Sequence, residues 1–451
     1  MNPDRISYLP DPVQSHIVSF LPIKDAIRIS ILSKQWKNIC YSLSRLEFDQ
    51  YDFTNKKDTA ADFRDFVDDV VIRHDGSDIQ RFSLKTTLDD VFISSCRVSI
   101  WISFAILHNV QDVEMRMYNA KLIKLPFCFF TCSTLRILTL ASVNIEWPSI
   151  VRFPVLKCFF VERLIFEYEN TIDKLFSNCT CPMLEDLVIR QCHANVHTLS
   201  ICNPSLKYLH IFDVSFFNIN ISASTLRKLD CIRCEPPNIC SETLLSLCYA
   251  CFKIFDSGSY NPTTISSQFN CVSKILMGLR NMESLELNSS FIEFFSRGQD
   301  LVLGSLPSSY CSLKYLCLGM FPASIHVQVI KLLLRSYPHL QTLQICVDRE
   351  SYLWNLATFK KIIDVEDYWK LKELPAGDKL NSLRVVEVRD FGGSESEIEL
   401  VRYLLENANL LKKMNISYKD NTQQSNGSQM NKSEMLLTFA SVAPNVKILL
   451  S

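Results

Sequence analysis

Hydrophobic positions along this chain follow two rules of spacing, one after the other. Over about the first forty residues they recur at helical intervals in short runs: Val13, Ile17, Phe20 and Leu21, then Asp25–Ile29, then Trp36, Ile39, Cys40 and Leu43. Asp11 suits the N-cap of the first helix with Pro12 in its first turn, Pro22 closes that helix, and Ser33 caps the third. A segment this short rarely buries enough surface to stand alone. Yet Leu9, Pro10, Ile17, Leu21, Ile29 and Trp36 exceed what its small core needs. The surplus belongs either to a junction with a larger fold or to a partner.

A polar, aromatic-bearing connection at Glu47–Asp58 leads to an amphipathic helix predicted on Phe63, Phe66, Val67 and Val70, ending near Arg73 before a turn at His74-Asp75-Gly76. From Ile79 the rule changes to apolar-x-x-apolar-x-apolar. Copies run from Ile79/Phe82/Leu84 through Leu135/Leu138/Leu140, Leu184/Leu187/Ile189 and Leu226/Leu229/Cys231 to Leu411/Met414/Ile416. Most are about 20 to 31 residues apart, the period of leucine-rich repeats. The wide gap 226–282 has room for a degenerate copy at Leu244/Leu247, and the gap 340–383 holds an irregular insertion.

Period-2 apolar residues make a short strand, and one copy cannot bury its own face, so the copies must stack. Helices are predicted between strands at Val98–His108, Val327–Arg335 and Glu397–Asn407. The first, with Trp101, Ala105 and Leu107–His108, and the last read as covers for the two open ends of the stack. With the ends so covered, the surplus on the N-terminal helices is left for a partner. Gly392-Gly393 reads as a turn, and Ser394 or Ser396 as the N-cap of the last of these helices, where Glu395, Glu397 and Glu399 favour the positive helix start. Asp420–Lys432 is polar and of low complexity; Ser433–Val442 adds a helix and Val446–Leu450 a strand.

The predicted fold class is α/β: a short all-α segment, then an irregular leucine-rich-repeat solenoid, a horseshoe, with a modified last repeat. Its parts are residues 1–46, a linker helix over 47–78, repeats over 79–350, the insertion over 351–380, the modified repeat over 381–418, and a polar loop with helix and strand over 419–451.

Composition narrows the function. A hydrophobic share of 47% excludes a largely disordered chain, and a net charge of −1 leaves no footprint for nucleic acid or anionic membrane. The basic doublets Lys56-Lys57, Lys360-Lys361 and Lys412-Lys413 are scattered among acids. The first residues carry no apolar signal core, and the longest apolar run, Val98–Val110, is too short to span a bilayer. The expected address is cytosol or nucleus, where the 18 cysteines stay thiols. With 10 glycines and no phosphate-binding glycine motif, a nucleotide enzyme is disfavoured, and no cofactor is expected.

Leu9-Pro10-Asp11, Ile17, Phe20-Leu21-Pro22, Asp25-Ala26 and Leu32-Ser33-Lys34-x-Trp36 closely resemble the F-box of plant F-box proteins. Val13 and Cys40 depart from its commonest residues but remain apolar. Val98–Met115 resembles the entry to the repeats of plant F-box/leucine-rich-repeat proteins, and Asn381–Tyr418 resembles the FBD segment of the same family. The resemblance implies a non-catalytic substrate-recognition subunit of an SCF-type cullin–RING ubiquitin ligase. It implies docking on a Skp-type adaptor, with Leu9, Pro10, Ile17, Leu21, Pro22, Ile29, Leu32 and Trp36 touching that adaptor or shaping the surface, and a target held by the repeats.

Other constellations compete weakly. Cys231-x-x-Cys234 and Cys248-x-x-Cys251, with Cys240 between, have zinc-like spacing, but Cys231 and Cys234 also fall in repeat register, as Cys192 does after Leu184/Leu187/Ile189. That favours repeat thiols over a metal. Cys192 with His193 and His197 has no oriented acid, and Asp68-Asp69 and Asp89-Asp90 read as solvated charges. Tyr352, Trp354, Tyr368 and Trp369 in the insertion are either a target contact or the insertion's own core. Besides the receptor, two readings remain: a non-degradative interaction scaffold, and a zinc or thiol enzyme.

Overall fold

The computed structural model describes residues 9–53, 60–87, 93–118, 122–166, 174–194, 198–216, 218–233, 238–240, 244, 246–255, 271–272, 274–276, 279, 281–296, 312–349, 380–418 and 438–450. The aromatic insertion, Asp89-Asp90, His197, Cys234 and Asp420–Lys432 lie outside them. The chain forms two compact units, one of residues 1–206 with 214–216, the other of 207–213 with 217–451.

The first unit begins with helices α1 (Asp11–Val18), α2 (Ile23–Ile29) and α3 (Lys34–Tyr41). Ser33 caps α3 as expected, its hydroxyl accepting from the Trp36 amide. Asp11 does not cap α1. Pro10 holds the cap position, and its carbonyl takes the first helical bonds from Val13 and Gln14. Strand β1 (Arg45–Asp49) follows directly, then α4 (Ala60–Arg73), β2 (Arg81–Thr87), α5 (Ser95–Leu107), β3 (Asp112–Tyr118), the short α6 (Phe127–Phe130), β4 (Ile137–Ala141), β5 (Cys158–Glu162) and β6 (Asp186–Arg190). Each strand pairs in parallel with the next, so that Leu46, Phe82, Val113, Leu138, Phe159 and Leu187 form one inward row.

The second unit repeats the scheme with β7 (Tyr208–Phe212), β8 (Lys228–Arg233), β9 (Tyr249–Ile254), β10 (Ser284–Leu287), α7 (Ser289–Ser296), β11 (Tyr315–Met320), α8 (Ser324–Ser336), β12 (Thr342–Val347), β13 (Val385–Phe391), α9 (Glu395–Asn407), β14 (Lys413–Tyr418) and β15 (Lys447–Leu450), again all parallel neighbours. The apolar triplets read from the sequence are the buried positions in both units. The fold is thus mixed α/β and built of leucine-rich repeats behind a helical N-terminal segment.

Three expectations need correction. The stretch beginning at Glu47 is no mere connection: Leu43, Leu46 and Phe48 are buried and make a first copy of the repeat. The degenerate copy is framed on Leu247, Ala250 and Phe252 rather than Leu244/Leu247; alanine in the middle place hid it. Helices α5 and α9 do not close the stack. Strands β1 and β2 precede α5, and β14 and β15 follow α9, so both are internal helices of their repeats. Trp101 and Ala105 are buried under α5, whereas Leu107 is exposed.

The modified repeat over residues 381–418, which is not the last, is pinned at the start of α9. Ser394 accepts from the Glu397 amide, and the Glu397 carboxylate takes the amides of Gly392, Gly393 and Ser394 at 2.8, 2.8 and 3.3 Å while also pairing with Arg349. Gly393 holds a φ of +76°, where a side chain would be strained.

Candidate docking face on the N-terminal helices

The core of the three-helix segment is Val18, Ile23, Ala26, Trp36, Ile39 and Cys40. Cys40 donates its S–H to the Ala26 carbonyl at 2.9 Å, and burial pushes its thiol up to about 11, so it is an inert core residue. Gln14, wholly buried, donates to the Leu9 carbonyl at 2.8 Å and ties the entering chain to α1. Lys24 reaches the Asp52 carbonyl and lies over the Phe53 ring at 3.9 Å, which seats α2 beside β1.

This core uses one side of each helix and leaves the other bare. Val13, Ile17, Phe20 and Leu21 stand at helical spacing along α1 and its exit, all exposed; Phe20 is 75% exposed. Ile31 and Leu32, in the turn before α3, are 84% and 72% exposed. So much apolar side chain in water within twenty or so residues is costly, and such clusters mark binding surfaces. Of the residues singled out for the adaptor, Pro10, Ile17, Leu21, Pro22 and Leu32 are exposed, and Leu9 and Ile29 are half-buried. Trp36 is 5% exposed and belongs to the core, so it shapes the surface from beneath. Val13, Phe20 and Ile31 extend the face beyond the residues chosen from sequence. Helical spacing alone cannot say which apolar side faces inward.

The competing constellations come apart in space. Register sets Cys231 beside Phe252 and Asp230 beside Cys251, so the two buried thiols point to opposite faces of the sheet. Burial raises both to about 12, while Cys248 is exposed and donates to the Ser246 carbonyl. Cys192 is buried, also raised to about 12 by that burial, and donates to the backbone carbonyls of Arg190 and Val161. Asp68 is not a solvated charge: it accepts from Trp101 Nε1 at 2.8 Å and pairs with Arg97, locking α4 to α5. Among the described residues no group of three or more metal-ligating side chains converges.

The outward strand face of the first unit carries a charged network instead. Arg81 pairs with Asp112 and Glu114, and Arg116 with Glu114 and Glu162 at 2.6 and 3.2 Å, around a groove of about 480 Å³. Burial works to raise the Glu114 carboxyl, but Arg116 and Arg81 together hold it below the ordinary range. Among the described residues no helix is long and apolar enough to cross a membrane.

Comparison with known proteins agrees with this architecture part by part. A family model described as the F-box domain matches residues 6–48, one described as FBD-associated F-box protein At5g56370, LRR repeats, matches 98–248, and one described as FBD matches 380–416. Among relatives from Arabidopsis thaliana, F-box/LRR-repeat protein 13 is 26% identical over 443 residues, covering 93% of this chain and 91% of that protein. F-box/LRR-repeat protein At2g42730 is 26% identical over 99% of this chain and 98% of its own. F-box/FBD/LRR-repeat protein At5g56420 is 31% identical over 46% of this chain and 49% of its own. With its bare helical face, its parallel repeats and its capped penultimate repeat, the chain belongs to the plant F-box/FBD/leucine-rich-repeat family.

Proposed function

We propose that this chain is the substrate-recognition subunit of an SCF-type cullin–RING ubiquitin ligase. It docks on a Skp-type adaptor through the N-terminal helices and holds a target protein on its repeats, in the cytosol or nucleus, without covalent chemistry of its own. The target's high effective concentration beside the ubiquitin-loaded enzyme supplies the activity. The observation that carries the reading is the exposed apolar face of Val13, Ile17, Phe20, Leu21 and Leu32 above a separate, complete core. A horseshoe curvature of the repeats, giving a concave target face, is part of the same proposal and is supported by the parallel pairing of successive strands within each unit.

The double substitution Ile17→Asp with Leu32→Asp tests it. Both side chains are exposed, so folding should be unchanged while adaptor capture falls by at least about thirtyfold, near 2 kcal/mol. Undiminished capture of the adaptor by a folded double variant would sink the proposal. If the adaptor is captured but no protein is ubiquitinated in cells in dependence on these residues, the chain is a non-degradative scaffold.

A further inference from the structure

The strand face of the second unit contains a groove of about 460 Å³, lined by the exposed Phe255, by the charged Lys253, Glu286, Asp348, Arg349 and Asp390, and by Cys317 and Cys346. One wall exists because Gly319 has no side chain: a Cβ there would lie 2.3 Å from the Ser289 backbone nitrogen. Cys317 stands opposite Gln344 and Cys346 opposite Gly319 in the β11–β12 register, so the two thiols are diagonal neighbours on one face. Both are partly exposed.

Three groups converge on the Cys346 sulfur. The Cys317 thiol is its diagonal neighbour and interacts with it, Gln344 Nε2 donates at 3.4 Å, and Arg389, opposite Cys346 in β13 and held by Glu387, adds a positive charge nearby. The Tyr315 hydroxyl donates to Gln344 Oε1 at 2.7 Å and so aims the amide nitrogen at the sulfur. Cys317, as donor, is pushed up; Cys346, stabilised as thiolate first by Cys317 and then by Gln344 and Arg389, is pulled down against the effect of burial. A thiolate in a partly open, donor-rich setting is nucleophilic at neutral pH.

The pair is not built to close on itself. Diagonal partners on neighbouring strands lie roughly 7–8 Å apart at Cα, beyond the roughly 4.4–6.8 Å that a disulfide spans. The groove has the size of a small-molecule site; the exposed Phe255 offers a carbon skeleton an apolar surface, and Lys253 offers positive charge to a carbonyl oxygen. We propose that Cys346 is a nucleophilic modification site for small α,β-unsaturated carbonyl compounds held in this groove. The thiolate sulfur bonds to the β-carbon, the C=C π pair moves to the α-carbon, and the resulting enolate takes a proton from water. The product is a thioether, and no oxidant or reductant is consumed. The site shares no residue with the N-terminal docking face.

Limited treatment of the full-length chain with cyclopent-2-en-1-one at pH 7, with the rate at each cysteine read by peptide mass spectrometry, tests this. Cys346 should react at least about tenfold faster than the exposed Cys248 and Cys179, the gain expected from one unit of thiol acidity. Cys317→Ala should slow Cys346 by a similar factor and leave Cys248 unchanged, and Cys317→Ser, which keeps a donor, should restore the rate. Reaction at Cys346 no faster than at Cys248 overturns the proposal, as does a rate indifferent to Cys317→Ala. The comparison between cysteines of the unsubstituted chain decides the matter even if a variant misfolds.

Discussion

One backbone feature recurs at the same place in several repeats. Ser142, Arg163, Gln191, Asp213 and Asp390 have φ of 54°, 53°, 50°, 48° and 56°, and each stands two residues past the last apolar residue of its triplet. The left-handed turn swings the amide into line with the next strand: Ser142 N donates to the Glu162 carbonyl at 2.8 Å, Arg163 N to Arg190 at 2.9 Å, and Asp213 N to Ile232 at 2.7 Å. The geometry extends the strand ladder by one bond at the cost of a strained residue. None of these is glycine, so the sequence gives no sign of the turn. The strain fixes the sign of two substitutions. Ser142→Gly should leave thermal stability equal or slightly higher, because relief of strain offsets the added freedom of the unfolded chain. Ser142→Val places a β-branched side chain at positive φ and should lose about 1–2 kcal/mol in denaturant unfolding.

At the scale of elements, the repeat strands were legible because their inward positions must be apolar in every copy, whatever else varies. What failed to show depended on context rather than composition. Strand β1 spans five residues and overlaps the end of the F-box resemblance, so its Leu46 reads with the helices and its Phe48 with the linker. The cap role given to α5 and α9 followed from assuming that a helix beside a repeat array closes it; only the strands on their far sides assign them to the interior. Half of the exposed apolar face was legible for a similar reason. The F-box resemblance picks out residues but not which of them the core consumes, and Trp36 went inward while Phe20 and Ile31 went outward.

The join between helices and repeats is equally local. His74, just past α4, faces the Leu43 carbonyl through Nε2 at 3.1 Å and accepts the Gly76 amide on Nδ1 at 3.2 Å, which assigns the neutral tautomer with its proton on Nε2. Burial lowers its affinity for a proton; the Leu43 carbonyl and Asp75 oppose this, and His108 adds to it. A group whose folded proton affinity is depressed below the unfolded value is protonated first in the unfolded chain. Stability should therefore fall as pH drops below the ordinary imidazole value of about 6.5. Unfolding midpoints measured from pH 7.5 to 5.5 should show that decline, and His74→Asn should flatten it. An unaltered slope in the variant would mean that other groups carry it.

For the molecule as a whole, the overlap between docking segment and first repeat decides how its parts can be separated. The F-box match runs over residues 6–48, yet Leu46 and Phe48 lie in β1, opposite Phe82 and Leu84 of β2. Removing residues 1–49 therefore deletes a strand along with the helices. It uncovers the backbone donors and acceptors of β2, and Phe82 and Leu84 lose the partners that Leu46 and Phe48 supply. An unpaired edge next to newly bared aromatic and aliphatic side chains is a template for association between chains. The truncated chain should elute as large aggregates in size-exclusion chromatography. The Ile17→Asp, Leu32→Asp chain, which alters exposed positions alone, should elute like the unsubstituted protein. Loss of target ubiquitination on truncation would then be uninterpretable as loss of docking, whereas the same loss in the double variant would isolate it. A soluble, cooperatively unfolding chain that starts at residue 50 would mean that β1 is dispensable and that the helices form a separable module.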